Sequence, residues 1–289
     1  MKKLRLNVFG KANLSLNITG KNVLHTLDSV MMSVDAFDTV TVEERRDDKI
    51  EVSFDKAGID SVKNTAYKAA AAVREVIGCG VKIEIEKGIP VGAGLGGSSA
   101  DGAAVIRALD LFYGLSARGV DIRKTALSVG SDVPFMLTGG LARVTGTGEE
   151  MLFIENKLKL FAIGLMHEPV STTEAYATFD KLHPTTEFSP TNTEKLTELL
   201  LDGDNNALKY IDNALYEAAA VLAPSVKVNF DKLKAAGAIP CMTGSGGMVL
   251  GYFTDIESFA RAAQSLKHEK GFRVFSSAPT GILHEWIER

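Results

Sequence analysis

The feature that most constrains this chain is a glycine-rich loop between a predicted strand and a predicted helix. Residues 89–109 have the sequence IPVGAGLGGSSADGAAVIRAL. Glycines let the backbone adopt positive φ and approach a bulky anion, and a helix start offers unpaired N–H groups at the positive end of its dipole. We therefore interpret this segment as a phosphate-binding loop. Its candidate binding residues are Gly92, Gly94, Leu95, Gly96, Gly97, Ser98 and Ser99.

Other interpretations of this loop are weaker. Three of its glycines satisfy the GxGxxG pattern of dinucleotide sites, but the acid expected about 20 residues later at the end of a second strand is missing. Asp110 and Asp121 instead lie in predicted helices. A Walker-type loop is excluded because the chain contains no GK[ST] sequence. A flexible turn followed by a serine helix cap is the plain structural alternative.

Length and composition indicate a folded protein that acts on small molecules. A chain of 289 residues with 45% apolar side chains can bury the core of one large domain or two ordinary ones. The formal net charge is -4, and no segment is dominated by one sign, which argues against nucleic-acid binding. The two cysteines, Cys79 and Cys241, have no metal-ligand spacing and fit a reducing compartment. No signal-peptide core and no apolar run of about 18 residues occurs, so we expect a cytoplasmic protein without a membrane segment.

The pattern of apolar residues predicts an α+β chain. Alternating and β-branched segments predict four strands within 4–54, namely LRLNVFG, LSLNIT, DTVTVEE and KIEVSF. Further helices are predicted over 64–78, 100–114, 119–129, 172–182, 193–202, 207–222, 225–236 and 256–269. Further strands are predicted over 81–86, 158–166 and 239–242, in MVLGYF, FRVFSS and GILHEWIE, and as a hairpin in LARVTGTGEEMLF. Strands alternate with helices in both halves, which predicts two domains, 1–155 and 156–289.

Three segments carry a resemblance to a known superfamily. PVGAGLGGSSAD resembles the phosphate loop of the GHMP kinases, KANLSLNITG (11–20) is similar to their N-terminal strand motif, and MTGSGGMVLGYF (242–253) to their C-terminal glycine motif. The segments occur in the expected order and span nearly the whole chain. The resemblance implies an N-terminal half like ribosomal S5 domain 2, which binds ATP, and a ferredoxin-like C-terminal half that completes the acceptor site. It also implies transfer of a phosphate from ATP, with Mg2+, to a hydroxyl of a small metabolite.

Within the superfamily, the likeness is greatest to members that phosphorylate 4-diphosphocytidyl-2-C-methyl-D-erythritol, in the non-mevalonate route to isoprenoid precursors. This chain departs from those members in one loop. They usually carry a longer loop that ends in Gly-Tyr-His, whereas this chain has a shorter loop in which Leu24 precedes His25. Two alternatives stay open. One is a GHMP kinase for another small alcohol, such as a homoserine-like or mevalonate-like acceptor. The other is a non-catalytic relative that binds a nucleotide or metabolite, against which the intact Lys11 and Asp132 argue.

The candidate catalytic residues are Asp132 and Lys11. Asp132 stands in an otherwise apolar run, GSDVPFML, where a carboxylate needs a partner or a purpose, although a turn residue before Pro134 would look the same. The resemblance implies that Asp132 is the general base for the acceptor hydroxyl. It also implies that Lys11, which could otherwise be an exposed strand lysine, lies beside Asp132 and orients that hydroxyl.

The resemblance implies roles for the remaining candidates. Asn13 and His25 would bind the acceptor, and Tyr176 would stack on its cytosine ring. The second glycine loop, with Thr243, Gly244 and Ser245, would close the cleft near the acceptor's diphosphate. Asn64 and Lys87 would flank the adenosine of ATP. The sequence identifies no protein ligand for magnesium and predicts no oligomeric state.

Overall fold

The computed structural model describes residues 1–21, 25–56, 64–155, 157–184 and 192–288. The strands are β1 (Lys3–Lys21), β2 (His25–Glu44), β3 (Ile50–Phe54), β4 (Val81–Glu86), β5 (Leu141–Gly146), β6 (Glu150–Phe153), β7 (Phe161–Met166), β8 (Asp212–Asn213), β9 (Ile239–Met242), β10 (Met248–Phe253), β11 (Phe272–Ser276) and β12 (Ile282–Glu288). The helices are α1 (Thr65–Ile77), α2 (Gly97–Tyr113), α3 (Ile122–Val129), α4 (Val133–Thr138), α5 (Thr172–Leu182), α6 (Thr193–Asp202), α7 (Tyr216–Leu222), α8 (Ser225–Ala235) and α9 (Ile256–Leu266). A 3-10 helix covers Asn205–Tyr210.

The larger sheet is organised around the antiparallel pair of β1 and β2. Strand β12 flanks β1 on its other side. One half of β2 pairs with β4 and the other half with β5, so the sheet branches along this strand. Helices α1 and α2 pack against each other, and their buried alanines belong to the same core as the apolar residues of β1 and β2. The start of α2 therefore lies against the middle of the sheet.

Strand β1 corrects the prediction of two separate strands in its region. It runs unbroken through Gly10 and Lys11, which resemble a turn in the sequence. Its pairing with β2 shifts register after Phe9 and again after Asn13. Such irregularities redirect side chains and occur often beside active sites. Lys11 and Asn13 interrupt the apolar pattern here, yet both side chains are buried.

The smaller sheet has the strand order β11-β7-β10-β9, with all neighbours antiparallel. Along the chain, helices α5 to α8 lie between β7 and β9, and α9 lies between β10 and β11. This is the connectivity of a ferredoxin-like unit. The predicted α+β architecture is therefore confirmed.

Several local predictions need correction. The segment 207–222 is not one helix, because the 3-10 helix ends before the short strand β8 and α7 begins only at Tyr216. Helix α4 follows Asp132 without having been predicted. The domain boundary near residue 155 stays a prediction, and the last strand, β12, returns to the larger sheet. Among the described residues, no helix is long and apolar enough to span a membrane.

Candidate active site

The phosphate loop owes its shape to glycines with positive φ. Gly92, Gly94 and Gly96 have φ values of 76°, 76° and 70°. A Cβ on Gly94 would lie 2.3 Å from the carbonyl oxygen of Thr243, and one on Gly96 would lie 2.3 Å from Met136 Cε. Gly96 is also the N-cap of α2. Close approach and backbone conformation therefore both require glycine here, and the positive end of a 17-residue helix begins at the loop.

Two cavities meet at this loop. The first, of about 320 Å³, is lined by Phe54, Asn64, Lys87, Ile89, Pro90, Val91, Gly92, Ala93, Gly94, Leu95, Gly96, Gly97, Ser98 and Asp101. The second, of about 290 Å³, is lined by Lys11, Asn13, Leu16, Leu27, Met31, Gly94, Gly96, Ser98, Ser99, Ser131, Asp132, Thr172, Tyr176, Leu215, Gly244 and Ser245. From the roles that the family resemblance implies for their lining residues, we call them the donor cavity and the acceptor cavity. Gly94, Gly96 and Ser98 line both, so a phosphate chain on the loop can reach from one into the other.

Lys11, Asn13 and Asp132 converge at the acceptor cavity. Lys11 Nζ lies 3.5 Å from Asp132 Oδ2 and donates to Asn13 Oδ1 at 2.5 Å. The Lys11 side chain is only 4% exposed, whereas that of Asp132 is 29% exposed. Lys11 is therefore not an exposed strand lysine, and the carboxylate beside its buried charge remains open to the cavity.

The second glycine loop, residues 243–247, completes the wall of the acceptor cavity. Gly244 N donates to Asn13 Oδ1 at 3.0 Å, and Thr243 Oγ1 donates to the carbonyl oxygen of Gly94 at 3.2 Å. Ser245 Oγ lies 2.8 Å from Thr172 Oγ1. The Thr243 bond joins the two glycine loops, and the other two attach the second loop to β1 and α5. Candidates that the sequence places far apart are thereby brought together.

Tyr176 lines the acceptor cavity, and His25, which is not among the lining residues, stacks on its ring. Their ring centroids are 4.7 Å apart and the planes are inclined by 28°. His25 Nε2 lies 2.9 Å from Asp180 Oδ1, and Lys21 Nζ lies 2.5 Å from Asp180 Oδ2. Burial, with a smaller contribution from the charge of Asp132, raises the pKa of Tyr176 to about 12. Tyr176 is therefore neutral, and one of its faces is covered by the imidazole. Leu24 lies outside the described residues.

Lys87 lines the donor cavity, but its charge is engaged in a buried cluster. Its Nζ donates to Asp38 and, at 2.8 Å, to Asp101 Oδ2. Asp38 also accepts from Ile89 N at 2.8 Å, which fixes the start of the phosphate loop. Burial raises the pKa of Asp101 to about 8, although Lys87 acts in the opposite direction. Asn64, the other predicted adenosine neighbour, caps α1 by accepting from Tyr67 N at 2.8 Å.

Several site residues escape sequence reasoning. Asp38 and Asp101 lie in strand and helix patterns where nothing indicates burial, and Asn213 lies in a predicted helix. The amide of Asn213 in fact donates to the carbonyl oxygens of Met242 and Gly244, at 2.7 and 2.9 Å. Among the described residues, no group of three His, Cys, Asp or Glu side chains converges as a metal site.

Comparison with known proteins places the chain in a class. Residues 64–140 match the family described as the GHMP kinases N terminal domain. The homoserine kinase of Cytophaga hutchinsonii superposes with a TM-score of 0.75 at 20% identity, covering 99% of this chain and 98% of that one. At that identity the likeness shows the fold alone. The fold, the phosphate loop and the matched family define a small-molecule kinase of the GHMP class, which uses ATP.

Nearer relatives define the family within that class. The 4-diphosphocytidyl-2-C-methyl-D-erythritol kinase of Chlorobium limicola is 34% identical, over 94% of this chain and 95% of the relative. The corresponding kinase of Caldicellulosiruptor saccharolyticus is 31% identical, over 91% of this chain and 92% of the relative. A crystal structure of 4-(cytidine 5'-diphospho)-2C-methyl-D-erythritol kinase superposes with a TM-score of 0.78 at 28% identity, covering 95% of this chain and 99% of that one. The chain belongs to the 4-diphosphocytidyl-2-C-methyl-D-erythritol kinase family.

Proposed function

We propose that this protein transfers the γ-phosphate of ATP to a hydroxyl of 4-diphosphocytidyl-2-C-methyl-D-erythritol, a step in the non-mevalonate synthesis of isoprenoid precursors. The observation that carries the proposal is the Lys11–Asp132 pair in a cavity that shares the phosphate loop with a second cavity. The names of the relatives at 31% and 34% identity support this acceptor over homoserine-like and mevalonate-like alcohols.

ATP would bind with its adenosine in the donor cavity, near Asn64 and Lys87, and its phosphates on the glycine loop. Backbone N–H groups between Gly94 and Ser99 would hold the α- and β-phosphates, helped by the dipole of α2. Since Lys87 is engaged by two carboxylates, its proposed role is to shape the adenosine end rather than to neutralise phosphate. The γ-phosphate would then lie where the two cavities join.

Asp132 would accept the proton of the acceptor hydroxyl as its oxygen bonds to the γ-phosphorus. The bond from that phosphorus to the bridging oxygen breaks, and ADP leaves. Phosphoryl transfer has a loose transition state with little nucleophile deprotonation, so positioning and charge stabilisation outweigh basicity. Lys11, held by Asn13 and buried beside Asp132, is suited to orient the hydroxyl.

Magnesium would accompany ATP and neutralise part of the charge on its phosphates. Ser98 lines both cavities and Ser99 lines the acceptor cavity, so the hydroxyls of these two residues are the protein oxygens that we propose for such a cation. They fit a cation shared with the phosphates rather than one held by protein alone, in keeping with the lack of a converging acidic group among the described residues.

The cytidine end of the acceptor would lie against Tyr176. Because the His25 ring covers one face of Tyr176 and its Nε2 contacts Asp180, cytosine can stack on that face only after His25 moves. A displaced His25 could then bind the polar edge of the base, as the resemblance implies. The cytosine of the acceptor would therefore compete with His25 for this face of Tyr176.

Phosphorylation of candidate alcohols tests the proposal. The purified chain with Mg2+ and ATP should release ADP in the presence of 4-diphosphocytidyl-2-C-methyl-D-erythritol, and far more slowly with free methylerythritol, mevalonate or homoserine. Asp132→Asn under the same conditions is the control for a contaminating kinase. Equal rates with an alcohol that lacks cytidine would refute this acceptor and leave only the broader class. ATP binding without turnover of any alcohol would favour the non-catalytic alternative.

A further inference from the structure

A buried histidine, His167, connects the second glycine loop to the body of the smaller sheet. We propose that His167 is a positioning residue, which holds the second glycine loop against the phosphate loop by accepting the Gly247 N–H at an unprotonated Nε2. The inference rests on the proposed function only in that ATP binds on the phosphate loop. It assigns His167 no contact with ATP or with the acceptor.

The hydrogen bonds of His167 fix its tautomer. The residue follows β7 directly and is 9% exposed. Its Nδ1 lies 2.8 Å from the carbonyl oxygen of Glu168. A carbonyl oxygen only accepts, so Nδ1 carries the hydrogen and Nε2 presents a lone pair. Gly247 N donates to that lone pair at 3.3 Å, and the backbone N of His167 donates to Gly247 O at 3.0 Å. His167 thus binds both the backbone N–H and the carbonyl oxygen of Gly247.

Gly247 in turn touches the phosphate loop. Its φ is +125°, and a Cβ there would lie 1.8 Å from the carbonyl oxygen of Gly92 and 3.0 Å from Ala93 Cα. The two backbones are therefore in direct contact, with no side chain between them. At the other end of the second glycine loop, Thr243 bonds to Gly94. A shift of Gly247 would release the support behind Gly92 and Gly94, whose region receives the phosphates.

Protonation of His167 would break this support. Burial lowers the pKa of His167, while the carbonyl and the carboxylate of Glu168 oppose that shift. The Glu168 carboxylate accepts from Ser225 Oγ of α8 at 2.5 Å, and the charge of Lys270, ahead of β11, also acts on it. Asn229 of α8, which donates toward the end of β7, is uncharged. Residues 92–94 and 243–247 carry no titratable side chain.

The sign of the pH effect follows from the tautomer. A protonated imidazole donates from both nitrogens, so Nε2–H would face the N–H of Gly247 and the bond would be lost. ATP affinity should therefore be constant while His167 is neutral and should fall as the pH drops through its lowered pKa. Replacement by glutamine tests this, because its amide oxygen can accept from Gly247 and does not titrate.

The experiment is calorimetric titration of the full chain with ATP and Mg2+ between about pH 5 and pH 8. We compare the wild type, His167→Ala, His167→Gln, and His268→Gln, the same change at an exposed histidine. His167→Ala should weaken ATP binding by about 2- to 10-fold at neutral pH, the effect of one lost hydrogen bond. His167→Gln should bind ATP nearly as tightly as the wild type at neutral pH, and its ATP affinity should not show the loss at acid pH that is expected of the wild type. His268→Gln should follow the wild type, and the titration of ATP itself is common to all four.

Two outcomes overturn the proposal in different ways. If His167→Ala binds ATP as tightly as the wild type, His167 does not position the loop, and if the pH profile of the wild type coincides with that of His167→Gln, protonation of His167 does not release the loop between about pH 5 and pH 8. If the wild type binds no ATP at any pH, the nucleotide site itself is wrong, and both the proposed function and this inference fail. Should His167→Ala be unfolded, the comparison of the wild type with His167→Gln decides the matter.

Discussion

The ammonium group of Lys11 lies 3.5 Å from a carboxylate oxygen of Asp132, although the two residues come from a sheet strand and from the turn before a short helix. The Asp132 carboxylate contacts Lys11 from the side of the acceptor cavity, while the Lys11 side chain is almost fully buried. The phosphate loop adds to this contact, since a Cβ on Gly96 would lie 3.1 Å from Lys11 Cγ. Asp132, Lys11 and the glycine-rich loop are thus parts of one packed unit.

This arrangement predicts that Asp132→Asn lowers kcat by roughly 10²- to 10⁴-fold, because the amide cannot accept the hydroxyl proton. ATP affinity should be nearly unchanged, since the carboxylate faces the acceptor cavity. Steady-state rates and ATP calorimetry measure the two effects. The control is Asp202→Asn, an exposed aspartate at the end of α6, which should behave as the wild type. Normal turnover of Asp132→Asn would remove the proposed base.

The phosphate loop gives a second prediction, that Gly96→Val abolishes most ATP binding while the protein stays folded. A β-branched side chain is strained at φ +70° and would collide with Met136. The matched control is Gly119→Val, at φ +84° in an exposed turn where an added Cβ meets nothing within 4 Å. Gly119→Val should pay a similar conformational strain, about 1–3 kcal/mol, and bind ATP normally. Equal ATP affinity in both variants would place the phosphates elsewhere.

The sequence predicts the elements whose cause is local. The glycine-rich loop, α2 and the strands of the smaller sheet follow from neighbouring residues, because positive φ, helix caps and alternation act over a few positions. The local pattern predicts two strands in place of β1 because Lys11 and Asn13 are polar. Their burial depends on contacts with Asp132 and Gly244, which a local pattern does not contain.

The candidate site depends on distant contacts to a greater degree. Thr243 bonds to Gly94 across 149 residues of sequence, and only the family resemblance places them together. Asp101 and His167 stand near other polar residues, Ser99 and Glu168, so nothing in the local pattern sets them apart. What marks them is burial and a specific hydrogen-bond partner, and both are properties of the folded chain. The roles of the site residues remain predictions.

Tyr176 gives a third prediction, for the acceptor. Stacking of a base on an aromatic ring contributes about 1–3 kcal/mol, so Tyr176→Ala should raise the KM of the acceptor about 5- to 150-fold with a smaller change in kcat. Tyr176→Phe is the matched control, because it keeps the ring and removes only the hydroxyl. Initial rates over a range of acceptor concentrations measure both constants. An unchanged KM in Tyr176→Ala would mean that cytosine does not stack there.

The buried cluster around Lys87 gives a fourth prediction, for stability. Lys87→Met removes the cation that the buried Asp38 carboxylate and the Asp101 carboxyl group share, which should lower the free energy of unfolding by about 3–5 kcal/mol. Lys82→Met is the control, because Lys82 pairs with Glu84 on a partly exposed surface. Its effect should be much smaller. Chemical denaturation measures both, and equal losses would show that the buried cluster carries no special weight.

Asp101 gives the last prediction, a dependence of stability on pH. Burial raises the pKa of this carboxyl from its ordinary value of 3.8 to about 8 in the folded protein. Between those values the folded chain keeps a proton that the unfolded chain has released, so the free energy of unfolding from this group falls as the pH rises. Asp101→Asn cannot titrate and keeps an oxygen for Lys87. Its unfolding free energy, measured by urea denaturation from about pH 5 to about pH 8, should therefore decline less with pH than that of the wild type. Asp202→Asn should keep the wild-type slope. Parallel slopes for the wild type and Asp101→Asn would mean that Asp101 is ionised in the folded protein throughout, with Lys87 outweighing the effect of burial.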